Sequence, residues 1–315
     1  MSPAEKQLSK RRRRWFQLRL RTLLVLVTLA SGVFGWVGWE LEQRRREKVA
    51  IAWVEKLGGK VYFETRIDSG FKTNWWKKTA DTLLGKSVHS FYLSGDEVRD
   101  LSPLAGLKNL EGLQLNQTKA SDLSPLADLK NLEFLHLRQT KVSDLSPLAD
   151  LKKLQRIDLE GTEVSDLSPL AGLENLRFLV LDRTEVSDLS PLAGLKNLRT
   201  LTLWNTQVSD LSPLAELKNL EELWFPQTEV SDLSPLAELK NLVELRLPET
   251  EVSDLSPLAE LKNLEELWFP QTEVSDLSPL AGMDRLERLF LEGTKVTEEQ
   301  IDKLKLALPN CKISQ

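Results

Sequence analysis

Cysteine and histidine are almost absent from this 315-residue chain, and their scarcity excludes several kinds of site. Cys311 is the only cysteine, so there is no second thiol with which it could form an internal disulfide. His89 and His136 are the only histidines, and neither has a cysteine or a second histidine at a metal-ligand spacing. A glycine-rich phosphate-binding loop is also missing. The sequence therefore predicts no metal site and no bound cofactor.

An excess of basic charge is confined to the N-terminus, and acidic residues outnumber basic ones in the rest of the chain. Residues 1–48 carry 12 Lys and Arg against 4 Asp and Glu, whereas residues 49–315 carry 30 basic and 43 acidic residues. A nucleic-acid groove needs positive charge clustered on the folded part of the protein. The acidic balance of residues 49–315 therefore predicts that nucleic acid is not a partner.

One long uncharged run lies near the N-terminus. The 18 residues from Thr22 to Trp39 contain no charged side chain, and a helix of that length spans about 27 Å, close to the thickness of a bilayer core. Eight Lys and Arg precede the run and four follow it closely, which favours a cytoplasmic N-terminus. We therefore expect a single-pass membrane protein, with a basic cytoplasmic tail over residues 1–21, a transmembrane helix over 22–39 and extracytoplasmic repeats.

A cleaved signal peptide is the alternative interpretation of this run. Thr28-Leu29-Ala30 places small residues where a signal peptidase reads them. Cleavage there would expose Phe34, Trp36 and Trp39 near a new N-terminus, whereas an uncleaved helix buries them in the membrane. The uncleaved anchor is therefore preferred.

A 22-residue unit is repeated along most of the remaining chain, and every unit contains the string DLSPLA or its equivalent. Nine aspartates open these strings: Asp100, Asp122, Asp144, Asp166, Asp188, Asp210, Asp232, Asp254 and Asp276. A pattern LxxLxLxxTxV precedes most of them, as in Leu132, Leu135, Leu137, Thr140 and Val142. These spacings are the signature of the leucine-rich repeat. The sequence thus predicts an α/β solenoid with a concave ribbon of parallel strands and short 3₁₀ or α turns on its convex side.

Each recurring residue type has an expected place within the coil. The leucines of LxL should point inward from a short strand, and ten such strands should run from Phe91-Tyr92-Leu93 to Leu289-Phe290-Leu291. Ser124-Pro125 and its equivalents predict a serine N-cap followed by proline at the first helical position. The asparagines represented by Asn131 suit a left-handed C-cap. The threonines represented by Thr140 are expected to bond the backbone of a neighbouring coil.

The string LKNLEFLHLRQTKVSDLSPLADL resembles the repeats of the internalins, bacterial surface proteins whose concave faces bind partner proteins. The resemblance covers residues 91–296. Threonine stands where internalins have an asparagine ladder, and their C-terminal attachment modules are not seen. The basic anchor and the ending TKVTEEQIDKLKLALPNCKI look more like bacterial membrane-anchored repeat proteins. The resemblance implies the fold and a binding role, and it identifies no ligand.

Both ends of a solenoid need covering, and residues 40–90 are expected to cover the first. They should form a juxtamembrane helix stopped by Gly58-Gly59, the strand Val61-Tyr62-Phe63 and a segment that contains Trp75 and Trp76.

Residues 297–315 are expected to cover the other end. Thr297 and Gln300 have the spacing of a capping box, and Pro309 marks the end of the helix that they begin.

Function is expected where the repeats differ, at strand positions that point away from the interior. The central outward residues are Gln114, His136, Asp158, Val180, Thr202, Trp224, Arg246, Trp268 and Phe290. Aromatic residues and arginine are enriched in the cores of protein interfaces. The predicted binding residues for a protein or peptide partner are Trp204, Trp224, Arg246, Trp268 and Phe290, with Glu222, Glu244 and Glu266 as a charged rim.

Recent duplication is an alternative explanation for two of these tryptophans, because Glu216 to Ala237 is identical to Glu260 to Ala281. Duplication does not explain why a large ring is tolerated on the open face. Arg246, between the two indoles, is expected to stack on both. Phe134 and Phe178 either extend this group of outward-facing binding residues or pack beneath a flanking loop.

Two other functions fit parts of the sequence. A structural envelope spacer would need no specific ligand. A cell-wall glycan hydrolase would act through Asp158, Glu160 or Asp182, with the tryptophans stacking on sugar, which makes glycan the less favoured partner. The DLSPLA aspartates could suggest calcium, but a residue repeated in every coil is better explained as a hydrogen-bond acceptor at a turn. We expect a binding module and not an enzyme.

Overall fold

The computed structural model describes the backbone of residues 3–63 and 88–315, and the side chains of residues 23, 25, 27–63 and 88–315. Its strands form one sheet in chain order. They are β1 (Lys60–Phe63), β2 (Val88–Tyr92), β3 (Gly112–Gln114), β4 (Phe134–His136), β5 (Arg156–Asp158), β6 (Phe178–Val180), β7 (Thr200–Thr202), β8 (Glu222–Trp224), β9 (Glu244–Arg246), β10 (Glu266–Trp268), β11 (Arg288–Phe290) and β12 (Lys312–Ser314). Helix α1 (Pro3–Lys56) precedes the sheet, and α2 (Glu298–Ala307) lies between β11 and β12.

The strands pair so that equivalent residues of successive coils lie side by side. From β2 to β11 every pair is parallel, and Leu201, for example, lies beside Leu223. β12 continues the parallel ribbon next to β11, whereas β1 runs antiparallel to β2. The predicted parallel ribbon of a leucine-rich-repeat solenoid is confirmed.

Leucine fills the interior of the coils. In and beside β4, Leu135 and Leu137 are fully buried while His136 between them is half-buried. Successive side chains of a strand point to opposite faces, so the LxL pattern sends its leucines inward. Phe225 and Phe269 take the place of the second leucine in two coils and are also fully buried. We call the opposite, outward side of β3–β11 the strand face.

A 3₁₀ turn follows in nine coils, at the SPL of each DLSPLA string. These turns are Ser102–Leu104, Ser124–Leu126, Ser146–Leu148, Ser168–Leu170, Ser190–Leu192, Ser212–Leu214, Ser234–Leu236, Ser256–Leu258 and Ser278–Leu280. The 3₁₀ geometry is as predicted, but the serine is the first residue of the turn and not the N-cap, so the proline comes second and not first. Leu123 occupies the N-cap position and makes no side-chain cap bond.

The aspartate two residues before the serine caps the turn instead. Asp122 Oδ1 accepts a hydrogen bond from the Ser124 amide at 2.8 Å. The equivalent bond is present in all nine of these coils. A carboxylate can reach an amide two residues ahead, as in an Asx-turn, and it satisfies a donor that the short turn leaves free. The predicted role of the aspartates as turn acceptors is therefore confirmed.

The asparagine column has a different role from the one predicted. Asn219 Nδ2 donates to the Lys196 carbonyl of the preceding coil at 2.8 Å, and the same bond recurs along the stack. The left-handed residue of the coil lies elsewhere, directly before the threonine, as at Gln139 with φ 55°. The prediction of a left-handed asparagine was wrong, because the amide holds two coils together and does not end a helix.

The threonines bond within their own coil, and the prediction of a neighbouring coil was also wrong. Thr140 Oγ1 donates to the Leu137 carbonyl at 2.7 Å, and Thr162 does the same to Leu159. The left-handed Gln139 turns the chain back on itself. This turn brings the buried hydroxyl to the carbonyl three residues earlier.

The N-terminal end of the solenoid is covered by the last turns of α1. Gln43 Oε1 accepts a hydrogen bond from the Lys108 amide of the first coil at 3.2 Å. Arg44 pairs with Glu40 at 3.1 Å and with Glu47 at 3.3 Å, and all three side chains are buried. Burial raises the pKa of Glu47, and the Arg44 charge opposes this rise. The covering helix thus meets the solenoid partly through buried charge.

The helix ends where the glycines predict. Gly58 adopts φ 73°, which glycine does without strain, and a Cβ on Gly59 would lie 2.7 Å from the Tyr92 carbonyl oxygen. β1 then contains the predicted strand. Trp75 and Trp76 lie outside the described residues.

The C-terminal end is covered by α2. Thr297 Oγ1 accepts from the Gln300 amide while the Gln300 side chain bonds the Thr297 amide, which confirms the predicted capping box. Ile301 and Leu304 are buried against the last coil. β12 was not predicted, because Ile313 is its only apolar residue.

Helix α1 runs through the whole of the predicted membrane span from Thr22 to Trp39. Among the described helical residues, none forms a stretch both long and apolar enough to cross a membrane. Membrane crossing by this segment stays a prediction.

Candidate functional site

Four predicted binding residues lie side by side on the strand face. Trp224, Arg246, Trp268 and Phe290 end β8, β9, β10 and β11, and each pairs in register with the next. Neighbouring strands are about 4.8 Å apart, so flat side chains on them can stack face to face. The parallel register alone therefore brings the four together.

These side chains form one continuous stack, which we call the aromatic ladder. The Arg246 guanidinium carbon lies 4.5 Å from the Trp224 ring centroid and 4.4 Å from that of Trp268. The rings of Trp268 and Phe290 follow at 3.7 Å with an interplanar angle of 22°. The predicted stacking of Arg246 on both indoles is confirmed. A cation between two ring faces is attracted by both, and this attraction stabilises the stack.

The ladder is half-buried, where the sequence suggested exposed side chains. Each member covers the flat faces of its neighbours, so mainly edges are left to solvent, and the Arg246 side chain keeps 33% of its surface exposed. The Trp224 Nε1 donor is buried and has no hydrogen-bond partner among the described groups. The ladder therefore offers a pre-ordered row of ring edges and one cation.

Two of the three predicted rim glutamates bond the ladder directly. Glu244 accepts from Arg246 Nε, and Glu266 accepts from Trp268 Nε1 at 3.3 Å. Glu266 also pairs with Arg288 of the next strand. Glu222 lies on the same column and accepts from the Thr200 hydroxyl at 3.3 Å. Sequence reasoning missed Arg288, which its place one repeat after Glu266 could have indicated.

Trp204 belongs to a separate cluster. Its ring lies 4.0 Å from the Arg183 guanidinium carbon, and its Nε1 donates to Gln227 Oε1 at 2.8 Å. The Trp204 amide donates to Asp182 Oδ1 at 2.8 Å. Arg183 was not predicted, because it occupies the left-handed position before the threonine, with φ 56°, and not an outward strand position.

Carboxyl groups occupy the middle of the strand face. Burial raises the pKa values of Glu160 and Asp182. Burial also raises the pKa of Asp158, but the contact with His136, the hydrogen bond from the Glu160 amide and the nearby Arg138 charge together outweigh it and leave the pKa lowered. Glu160 pairs with Arg138 at 2.8 Å. No group of three acidic, histidine or cysteine side chains within the described part of the chain could hold a metal ion.

The N-terminal half of the strand face contains a depression of about 360 Å³. Gly112 lies in it without a side chain, and Tyr92, Phe134 and Phe178 line it together with Arg156. Phe134 is 39% exposed. The two phenylalanines thus line a second feature of the face, seven and five strands away from Phe290, and do not extend the aromatic ladder.

Comparisons with known proteins agree with this architecture. The family model described as a leucine-rich repeat region matches residues 87–225. An internalin of Listeria monocytogenes, inlF, is 31% identical, with a TM-score of 0.61, over 70% of this chain and 72% of its own structure. Internalin C2 of the same organism is 40% identical, with a TM-score of 0.55, over 56% of this chain and 78% of its own.

A more distant structure shares the fold alone. A plant peptide hormone receptor, RGFR1, solved in complex with RGF2, is 17% identical with a TM-score of 0.60, over 79% of this chain and 40% of that one. No curated protein matches the chain. The repeat, the parallel ribbon and the internalin structures lead to one conclusion: the chain belongs to the leucine-rich-repeat family and is internalin-like.

Proposed function

We propose that this protein is a membrane-tethered recognition module that binds a protein or peptide partner through the strand face, the concave side of a leucine-rich-repeat solenoid. Trp224, Arg246, Trp268 and Phe290 form the centre of the interface, and Trp204 lies beside it. The fold favours a protein-binding role, since the structures that share it include a peptide hormone receptor solved with its ligand. Binding proceeds by surface complementarity without turnover.

The aromatic ladder is the observation that carries the proposal. Repeat rules place leucine inside the coil and leave the outward position free, yet four successive outward positions hold an ordered stack. Ordering these side chains in advance lowers the entropy lost on binding. Rigid aromatic and arginine side chains of this kind dominate the energetics of protein interfaces.

The direct test removes both indoles. Trp224→Ala with Trp268→Ala should abolish capture of the partner from envelope extract while the protein remains folded, as shown by an unchanged circular dichroism spectrum and a cooperative unfolding transition. The matched control is Val180→Ala, which shortens a side chain at the same strand position two coils before Trp224. Equal recovery of the same partner by the double variant would show that the ladder is not part of the interface.

A spacer function makes a different prediction about repeat number. Deleting residues 238–259 removes one whole unit with Arg246 and brings Trp224 next to Trp268. Deleting residues 150–171 also removes one unit but leaves the ladder intact. A binding face should lose its partner with the first deletion only, whereas a spacer should tolerate both equally.

The proposal includes a location and a lack of catalysis. The uncharged run from Thr22 to Trp39 and the basic residues before it support an N-terminus in the cytoplasm and repeats outside it. A protease-accessibility assay on intact and permeabilised cells tests this orientation.

The strand-face carboxylates are engaged by arginine, histidine or backbone amides, which supports binding without hydrolysis. Release of sugar from cell-wall glycan by the purified chain would contradict the proposal that the protein is not a hydrolase.

A further inference from the structure

The depression on the N-terminal half of the strand face has features of a built binding pocket. Its volume of about 360 Å³ falls within the range of roughly 300–1,000 Å³ that small-ligand sites occupy. Gly112 lacks a side chain at a strand position where β4 to β11 all carry one, and the Ser90 side chain occupies the place that a Cβ on residue 112 would take, so these two residues form a shallow floor. The rings of Tyr92 and Phe134, which line it, are 43% and 39% exposed. An apolar side chain could therefore be buried there against aromatic surface.

The charge beside this depression is unusual for the strand face. The strands β3–β11 contain three arginines, and two of them pair with a glutamate: Arg246 with Glu244 and Arg288 with Glu266. Arg138 and Arg183, which follow β4 and β6, both pair with Glu160. Arg156 is the third strand arginine. Its guanidinium lies 4.3 Å from the Phe178 ring centroid, and no carboxylate among the described residues forms an ion pair with it.

Arg288 shows what this unpaired state means. Arg156 and Arg288 occupy the same strand position, and a carboxylate on the preceding strand, Glu266, neutralises Arg288. On the strand that precedes Arg156, the equivalent residue is Phe134. An aromatic ring thus stands where the carboxylate would be, and the guanidinium keeps donors in a planar fork that suits a carboxylate from outside the chain.

We infer that this depression binds a peptide segment in which an aromatic side chain lies next to a carboxylate side chain. The aromatic ring lies in the depression beside Ser90 and Gly112, between Tyr92 and Phe134. The carboxylate pairs with Arg156 at the edge of the depression. The site is separate from the aromatic ladder and does not depend on it.

The test uses two capped dipeptides, acetyl-Phe-Asp-amide and acetyl-Phe-Asn-amide, with the full chain in detergent micelles. Ligand-observed NMR measures their dissociation constants. The aspartate peptide should bind about tenfold more tightly than the asparagine peptide, since a hydrogen-bonded charge pair is worth at least that factor. Arg156→Gln should remove this preference, and the matched control Arg288→Gln should keep it.

Two further variants make the outcome decisive. Phe134→Ala should weaken both dipeptides, whereas Trp224→Ala with Trp268→Ala should leave both unchanged, which separates this site from the ladder. Equal binding of the two dipeptides by the wild-type chain would overturn the inference, even if Arg156→Gln failed to fold. A preference for aspartate that survives in folded Arg156→Gln would overturn it as well.

Discussion

Leu223 and Trp224 are neighbours in β8, yet the two sides of this strand follow different rules. Leu223 lies beside Leu201 and Leu245 and is fully buried, and nearly the same column of leucine recurs through every coil. Trp224 lies beside Thr202 and Arg246, and the outward column changes at almost every step. The repeat thus determines the interior, while the strand face is free to vary. Substitutions on the two sides of the strand should therefore differ in their effects.

The largest expected difference separates these two neighbours. Leu223→Ala should lower the free energy of unfolding by about 2–5 kcal/mol, because it leaves a cavity in a packed interior. Trp224→Ala should lower it by only about 1–2 kcal/mol, the scale of a partly exposed ring that loses one cation contact. Urea unfolding followed by circular dichroism measures both. Equal losses would mean that the strand face contributes as much to the free energy of unfolding as the interior does.

The next effect concerns coupling within the aromatic ladder. A double-mutant cycle of Arg246→Gln with Trp268→Ala should give a coupling free energy of about 0.5–2 kcal/mol, since the cation loses its attraction to the ring. Trp204→Ala combined with Arg246→Gln is the control and should be additive, because Trp204 stacks on Arg183 instead. Additivity in both cycles would show that the ladder contacts contribute nothing to stability.

The threonine column should contribute less at each position. Thr162→Val removes the hydroxyl that donates to the Leu159 carbonyl and should cost about 1 kcal/mol, the net value of a typical buried hydrogen bond. Thr162→Ser keeps the donor and should cost less in the same unfolding experiment. A Thr162→Val protein as stable as the wild type would show that the hydroxyl has no structural role.

The smallest effect for each residue is the pH dependence of the turn aspartates. Hydrogen bonds from the serine two residues ahead lower the pKa of Asp166 and of its equivalents in seven other coils. A lowered pKa gives stability above the unfolded-state value, and this stability is lost as pH falls through the folded value. Glu47, Glu160 and Asp182, with raised pKa values, have the opposite effect, but these three carboxyls are outnumbered by the eight turn aspartates.

Melting temperature should therefore decrease as the solution is acidified below the usual aspartate range. Asp166→Asn should flatten the decrease slightly, and Lys218→Gln, at an exposed site of another coil, should not. A melting temperature that rises on acidification would mean that the buried carboxyls dominate.

Periodicity predicted the features that every coil shares. An inward leucine, an outward neighbour and a turn at Ser-Pro follow from local spacing, and the register of β8 to β11 follows from the identical length of the units. Stacking of Arg246 on Trp224 and Trp268 needed nothing more than that register, so it could be predicted from the sequence.

Contacts that leave this register could not be predicted in the same way. The Asn219 side-chain amide bonds the Lys196 carbonyl in the preceding coil. Arg183, which has a left-handed backbone conformation, stacks on the ring of Trp204. Both depend on how the chain turns between strand and 3₁₀ segment, which the apolar pattern does not encode. The unpaired state of Arg156 likewise became visible only when the pairing of the other arginines was known.

Site-specific photo-crosslinking in intact cells tests whether the strand face contacts a partner. A photo-reactive amino acid replaces Glu292, which is exposed on the strand face beside Phe290, and in a second protein it replaces Asp284 on the turn side of the same coil. We expect a discrete protein adduct from position 292 that is absent from position 284 and disappears when Trp224→Ala and Trp268→Ala are added. The same adduct from both positions, or its persistence without the two indoles, would contradict recognition through the strand face.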